Sequence, residues 1–431
     1  MDTWLRRRRL LWLALTIVVL LLAAASPVLW AGYHAYAGHH AWQHYHSAEA
    51  QRHFTVCLDV WPWSRNSRLH LLAAQAARRA GDFEVARQLL LKCQVSLHNN
   101  SEEVLLEWSM LRATMGDLDA TEGPLREIVR AQPSMLPVVY EALAEGYLVM
   151  ARIRDAIRAT DDWLAREPNN PQAWFVRGKI HRQVGSMQAV VADYRRVLEL
   201  DPERTQARWR LALALLDIGR YQEADQLLQI FGRSHSQDVE VQVRRAVCLW
   251  RLEREAEAES LLDNVLAEHP HHGLALLTRG QIFLMAFQCA KAEPWLRQAA
   301  DILPYDHAAQ NALWQCLRQQ GKTEEAEAQH EVTETLYERG TQLAELLNHR
   351  MQQSPNDPAL HYQVGTLYLQ LGFPQTGEAW LHSALRHSEN YVPALEALAK
   401  LSHEHGDKER EEEYHQRAQI AKSRHALKSH E

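Results

Sequence analysis

The chain has 431 residues, 46% of them hydrophobic, with 47 basic and 54 acidic residues interspersed for a formal net charge of -7. No basic face is gathered, which speaks against a nucleic-acid footprint. The five cysteines, Cys57, Cys93, Cys248, Cys289 and Cys316, are odd in number and form no CxxC pair, so they read as buried free thiols rather than a disulfide framework.

In chain order, residues 1–9 end in four arginines, Arg6 to Arg9, and residues 10–30 then run without a charge. As a helix that stretch reaches about 31 Å, enough to cross a bilayer core. With arginines on one flank only, the expectation is an uncleaved transmembrane signal-anchor. The N-terminus would then be cytoplasmic and the rest extracytoplasmic, periplasmic if bacterial. A signal peptide cleaved near Ala25 and Ser26 is the alternative. Residues 31–46 mix histidine with aromatics and are expected to be a juxtamembrane linker, with Trp30, Tyr33, Tyr36, Trp42 and Tyr45 an interfacial belt. His40 and His44 are spaced for a metal pair on one helix face, but no carboxylate or cysteine nearby completes a ligand set.

From residue 47 a repeat takes over. Ser47 to Val60 has the pattern of a second repeat helix without its first, expected as a cap on the stack. The clearest unit is Pro171 to Arg204: Trp174, Gly178 and His181 share one helical face, Gly185 breaks the run, and Val190, Tyr194, Val197 and Leu198 form a second stripe before Pro202. Pro133, Pro168, Pro202, Pro270 and Pro304 lie 35, 34, 68 and 34 residues apart, and the mid-unit glycines Gly81, Gly116, Gly185, Gly219 and Gly321 keep the same period. A period of 34 with two helices per unit is the pattern of a solenoid, because one helix pair cannot bury its own apolar face.

On these residues the chain resembles the tetratricopeptide repeat family. The resemblance implies an all-α, right-handed α-solenoid of about ten helix-turn-helix repeats after the one N-terminal transmembrane helix. Trp174 takes the large seat and Gly178, Gly280 and Gly365 the small seat in first helices. Ala156, Ala224, Ala258, Ala292 and Ala326 take the small seat in second helices, with Thr121 and Gly377 as departures; Phe287 stands where the turn glycine is usual. The main solenoid is expected over 47–338. The 51 residues from Pro304 to Pro355 imply an extra helix over 339–357, carrying Leu343, Leu346, Leu347 and Met351. Further repeats are expected over 358–425, and a tail over 426–431.

No glycine-rich phosphate loop, nucleophile elbow or HExxH helix occurs, so no catalytic residue, cofactor or metal site is expected, and the chain does not read as an enzyme. The resemblance implies binding of proteins or peptides along the first helices. Their inward seats in the middle units are Phe175, Lys179, Arg182, Trp209, Arg210, Arg244, Trp250, Arg251, Gln281 and Asn311, with Gln315 and Arg318 beyond. Basic residues with aromatics between them suit an extended acidic or C-terminal segment. The expectation is a membrane-anchored scaffold or adaptor. The alternatives are a metal- or haem-handling assembly factor using the histidines of 31–46, or an accessory subunit of an envelope glycan or polysaccharide machine.

Overall fold

In the computed structural model, residues 26–60, 65–96, 98–234 and 238–428 are described; all regular structure among them is helical. They fall into two compact units. The N-terminal unit holds the described residues up to 149, with 154–176 and 200–204; the C-terminal unit holds 150–153, 177–199 and those from 205 onward.

In the N-terminal unit, helix α1 spans residues 26–43 and is followed by α2 (Ser47–Leu58), α3 (Ser67–Ala80), α4 (Phe83–Leu91), α5 (Glu102–Thr114), α6 (Glu122–Ala131), α7 (Leu136–Val149) and α8 (Ile153–Arg166). The stretch expected as a linker is therefore a helix. Ala31 and Ala41 of α1 are buried with Ala50, Phe54 and Cys57 of α2 and Leu69 and Ala73 of α3, so α1 supplies the first helix that the 47–60 segment lacked. Gly38 allows this approach: a Cβ there would lie 2.7 Å from the Phe54 ring.

This packing bears on the expected single-pass topology, which is corrected. Among the described residues no helix is long and apolar enough to cross a membrane. Residues 1–25, with most of the expected span, lie outside the described residues, and residues 26–30 open a helix that packs on the repeats.

Helix α9 (Pro171–Gln183) begins in the first unit and ends in the second, which continues through α10 (Met187–Leu200), α11 (Thr205–Asp217), α12 (Tyr221–Ser234), α13 (Val239–Arg251), α14 (Glu255–Glu268), α15 (Gly273–Met285), α16 (Cys289–Ile302) and α17 (His307–Gln319). The extra helical length is not a separate helix but a continuation of α18 (Thr323–Glu345) through a π-turn at Leu346–Arg350 into α19 (Met351–Gln353). No proline interrupts that run, and Gly340 lies inside it. Leu343, Leu346 and Met351 bury against Leu360, Val364 and Trp380 of α20 (Pro358–Gln370) and α21 (Pro374–His387), and Ala151 joins the same cluster. Helices α22 (Val392–Glu404) and α23 (Lys408–Lys428) follow.

The pairs close through one repeated device. Tyr45, Gly81, Gly116, Ala151, Gly185, Gly219, Glu253, Phe287, Gly321, Gly372 and Gly406 all have positive φ, spaced 34 to 36 residues apart save for the 51 between Gly321 and Gly372. At Gly81 the amide bonds back to Arg78 and that of Asp82 to Ala77, the crossed pair of a left-handed helix cap. Gly178 holds its expected seat, where a Cβ would meet the Tyr194 ring at 2.7 Å. Trp174 departs from its expected core role: it is half-buried, and its indole N–H donates to Pro168 O at 2.8 Å. All five cysteines are free and buried, and burial pushes the Cys57 and Cys93 thiols up to about 11.

Two consequences are measurable. Phe287 has φ of 57° and is 83% exposed, so Phe287→Gly should raise the unfolding free energy by about 0.5–1 kcal/mol, whereas Gly185→Val at φ of 79° should lower it by at least that much. Denaturant titration of both variants checks the pair.

His361 is fully buried in the C-terminal unit, its Nε2–H donating to Pro355 O at 2.7 Å, and burial lowers its pKa to about 4, with His387 and Arg386 adding to the effect. The native ring therefore resists a proton that the unfolded chain accepts. Its stabilisation is whole above pH 6.5 and is lost as the pH falls toward 4, on the order of 3 kcal/mol in all. Urea midpoints should drop across that window, and His361→Gln should flatten the drop.

Candidate partner-binding site

The inward seats read in the middle units have counterparts two and three repeats earlier, on α5 and α3, and there the structure forms a pocket. Asn66 caps α3 by accepting from the Leu69 amide at 3.0 Å, which fixes the rotation of the helix and turns Arg68, Leu71, Gln75, Arg78 and Arg79 to one side. Helix α5 adds Glu103, Leu106, Glu107 and Met110; Met135 and Val138 close one wall and Trp42 of α1 another. The pocket has a volume of about 230 Å³.

Two arginines of this face are neutralised from within. Arg78 Nε donates to Glu107 Oε1 at 2.6 Å, both side chains being almost wholly buried. Burial works against the Arg78 charge, but Glu107 and Glu141 outweigh it and the guanidinium is held more firmly than in water. Arg79 bonds Glu141 Oε2 through Nε at 3.0 Å and through its terminal nitrogen at 2.8 Å. Glu141 Oε1 in turn accepts from Gln172 at 2.6 Å, and the Gln172 carbonyl accepts from Arg204. Arg204 is 1% exposed, and its guanidinium lies 4.3 Å from the Phe175 ring centroid and 5.2 Å from that of Tyr45. Burial brings its pKa down to about 10, against the pull of Asp201, Tyr45 and Glu141.

Tyr45 sits where other units place glycine in the helix turn, with φ of 58°. Its amide bonds to Trp42 O and that of His46 to Ala41 O, repeating the crossed cap of Gly81. The ring is thereby carried over Arg79 at 5.1 Å, with Trp42 over the same guanidinium at 5.3 Å. Burial, and Glu141 after it, raise the Tyr45 phenol above its ordinary pKa, so it stays protonated and a donor.

Two polar atoms of residues around the pocket are without a hydrogen-bond partner among the described residues: Glu107 Oε2, an acceptor, and Trp42 Nε1–H, a donor. Each is shielded from solvent, which makes an unmade bond costly.

Of the seats expected to bind, Phe175 lies in this unit, buried against Arg204. The others are spread through the C-terminal unit. Lys179, Gln281 and Asn311 are half-buried, and Arg210 is exposed. Arg182 lies 3.8 Å from Asp217 and Arg244 bonds Glu240 at 3.2 Å. Trp209 packs on Phe231 with centroids 5.2 Å apart, and Arg251 stacks on Trp250 at 4.6 Å and Tyr221 at 5.8 Å. Several of these cations thus already have anionic or aromatic partners. The rings of His40 and His44 lie 4.6 Å apart, but among the described residues no group of three or more His, Cys, Asp or Glu is arranged to hold a metal.

The buried network separates roles that a sequence reading merges. Glu141→Ala leaves Arg79 and Gln172 without their acceptor and should cost about 3 to 5 kcal/mol, whereas Arg204→Met, which replaces an incompletely bonded cation by an apolar chain, should change stability by less than about 1 kcal/mol. Urea midpoints of the two variants test the contrast; equal losses would show that Arg204 is an essential partner of the chain of bonds.

No curated protein matches the chain. Among solved structures it is similar to the human IFIT1 dimer with m7Gppp-AAAA (17% identity, 83% of this chain and 90% of that one, TM-score 0.39). It is also similar to a tetratricopeptide repeat protein from Parabacteroides merdae (14%, 67% and 99%, 0.34) and to PilW, a type IV pilus biogenesis factor (17%, 44% and 89%, 0.39). One family model described as a tetratrico peptide repeat matches residues 171–273, and a second, described as a tetratricopeptide repeat, matches 141–189 and 243–307. Together these matches cover residues 141–307 without a gap, so the similarity to tetratricopeptide repeats runs through that stretch of the chain.

Proposed function

We propose that the chain is a protein-interaction scaffold and that the pocket between α1, α3, α5 and α7 is where it takes hold of a partner segment. The observation that carries this reading is the pocket itself, about 230 Å³ in volume with Leu71, Leu72, Leu106, Met110, Met135 and Val138 among its lining. Such an apolar surface gains when a complementary group covers it. The repeats supply the rigid wall that lets a segment bind without reorganisation, which favours affinity.

The charge pattern alters the ligand expected from sequence. Arg78 and Arg79 are each paired with a glutamate, so an acidic segment entering here meets Glu107 and Glu141 as well as the guanidiniums. An apolar anchor with polar, near-neutral flanks fits this balance better than an acidic tail.

Peptides selected on the full chain from a random display library provide the test. They should lose about tenfold or more in affinity for Leu106→Trp, whose half-buried side chain fills the pocket, and keep their affinity for the double reversal Arg210→Glu, Arg244→Glu. The opposite ranking would place the binding surface in the C-terminal unit and end this reading.

A further inference from the structure

We infer that acid releases helix α1 from α2 through the paired rings of His34 and His53, and that the release withdraws Trp42 from the wall of the pocket. The consequence at the pocket rests on the reading that a partner segment binds there; the release itself does not.

The two rings join the helices directly. His34 of α1 and His53 of α2 are both half-buried, their Nδ1 atoms 2.7 Å and their ring centroids 4.9 Å apart. A bond between two imidazole nitrogens needs a proton on one and a lone pair on the other. It therefore survives one added proton and not two. With both rings charged, each Nδ1 carries a hydrogen, the bond is lost, and like charges face each other across the helix contact. His34 has no second outlet for its proton, since its Nε2 is shielded from solvent and has no hydrogen-bond partner among the described residues.

The surroundings set the order of charging. On α1 the His34 ring is flanked by Trp30 at 4.5 Å and Tyr33 at 5.5 Å. On α2 the carboxylate of Glu49 lies 3.8 Å from His53 Nε2 and 3.5 Å from His46 Nδ1, while Arg52 turns back to its own helix and donates to Ala48 O. Helix α3 brings a cation, Arg79, over Trp42. A first proton is thus met by Glu49 at His53, whereas one on His34 faces rings and a neighbouring cation. Burial, and the His53 charge after it, lower the His34 pKa accordingly.

The contact matters because α1 contributes little else. Its buried side chains in the core are those of Ala31 and Ala41, with Gly38 against the Phe54 ring, whereas Leu29, Trp30, Tyr33 and Tyr36 are exposed. So small an apolar face leaves the helix held by a margin that one lost hydrogen bond and one repulsion can reverse. Trp42 lies eight residues beyond His34, about two turns along the same helix, and lines the pocket.

His34 is harder to protonate docked than free. Docking is therefore whole above the ordinary histidine value of about 6.5 and is lost as the pH falls toward the lowered value of His34. Uptake of one proton on release lets the open population rise by at most about tenfold per pH unit.

Hydrogen exchange of the full chain, read by mass spectrometry and corrected for the intrinsic pH dependence of amide exchange, tests the release. Protection of residues 31–43 should fall between about pH 7 and 5 by up to about tenfold per unit. The double variant His34→Gln, His53→Gln, whose amides bond without taking up a proton, should hold its protection level over the same range. If that variant folds poorly, His34→Gln alone gives the same comparison. Constant protection in the unmodified chain, or an equal fall in chain and variants, would overturn the inference. Pocket-selected peptides should lose affinity in step with the protection of α1. Peptides that keep their affinity while α1 is released would overturn the withdrawal of Trp42, whereas peptides indifferent to Leu106→Trp would sink the binding site and leave the acid release standing.

Discussion

The structure depends on how the chain reverses after the first helix of each pair. Packing two helices antiparallel needs a left-handed residue in the turn, since only that conformation lets the last carbonyls be met by the crossed amides of the cap. Glycine meets the demand without strain at Gly81, Gly116, Gly185, Gly219, Gly321, Gly372 and Gly406. Tyr45, Ala151, Glu253 and Phe287 hold the same conformation with a side chain. The stacked pairs evidently dictate the backbone there, since a local preference would not: the helices on either side bury their apolar stripes only when the turn is made, and that burial exceeds a strain of about 1–2 kcal/mol at one residue.

The same constraint explains what the sequence revealed and what it concealed. The spacing of Gly81, Gly116, Gly185, Gly219 and Gly321 is a direct trace of the turn, so the two-helix unit and its period were legible. Helix α1 was not. Its turn residue is Tyr45, which carries no glycine signal, and its many histidines and aromatics read as an interface segment rather than as a helix whose small residues, Ala31, Gly38 and Ala41, face the stack. Stepping back one period from Gly81 lands near Tyr45, and that arithmetic was the available clue. The extension of α18 is legible in part: the missing punctuation between Lys322 and Gln353 shows extra helix, but whether a π-turn or a break joins it depends on how Leu346 and Met351 find their core.

The pocket shows a different limit. Inward seats follow from register, and Arg78, Glu107 and Glu141 could have been placed on the groove from the repeat alone. Which of them remain available could not. Arg79 and Glu141 are 62 residues apart, and Glu141, Gln172 and Arg204 are linked in a chain whose members come from separate repeats. Pairing across that distance is set by packing, and it converts a surface that reads as basic into one that is nearly neutral. The lesson for a groove of this kind is that the informative groups are the polar atoms the network leaves over, because the paired ones have already spent most of their interaction on each other.

Tyr45 joins the two constraints. As a turn residue it is a poor choice, for a bulky side chain in the left-handed region is strained, and glycine was within reach by the same repeat logic. Its ring, however, lies over Arg79 and Arg204, so it holds together guanidiniums brought from α3 and from the end of the unit. A glycine there would relax the backbone and leave those cations facing a gap. Strain in the turn is thus offset by order among these side chains, with Trp42 lying over the same Arg79 guanidinium. The turn and the buried ion pairs are in this way coupled: the residue that closes the first helix pair also holds in place the cations that Glu141 and Gln172 bond.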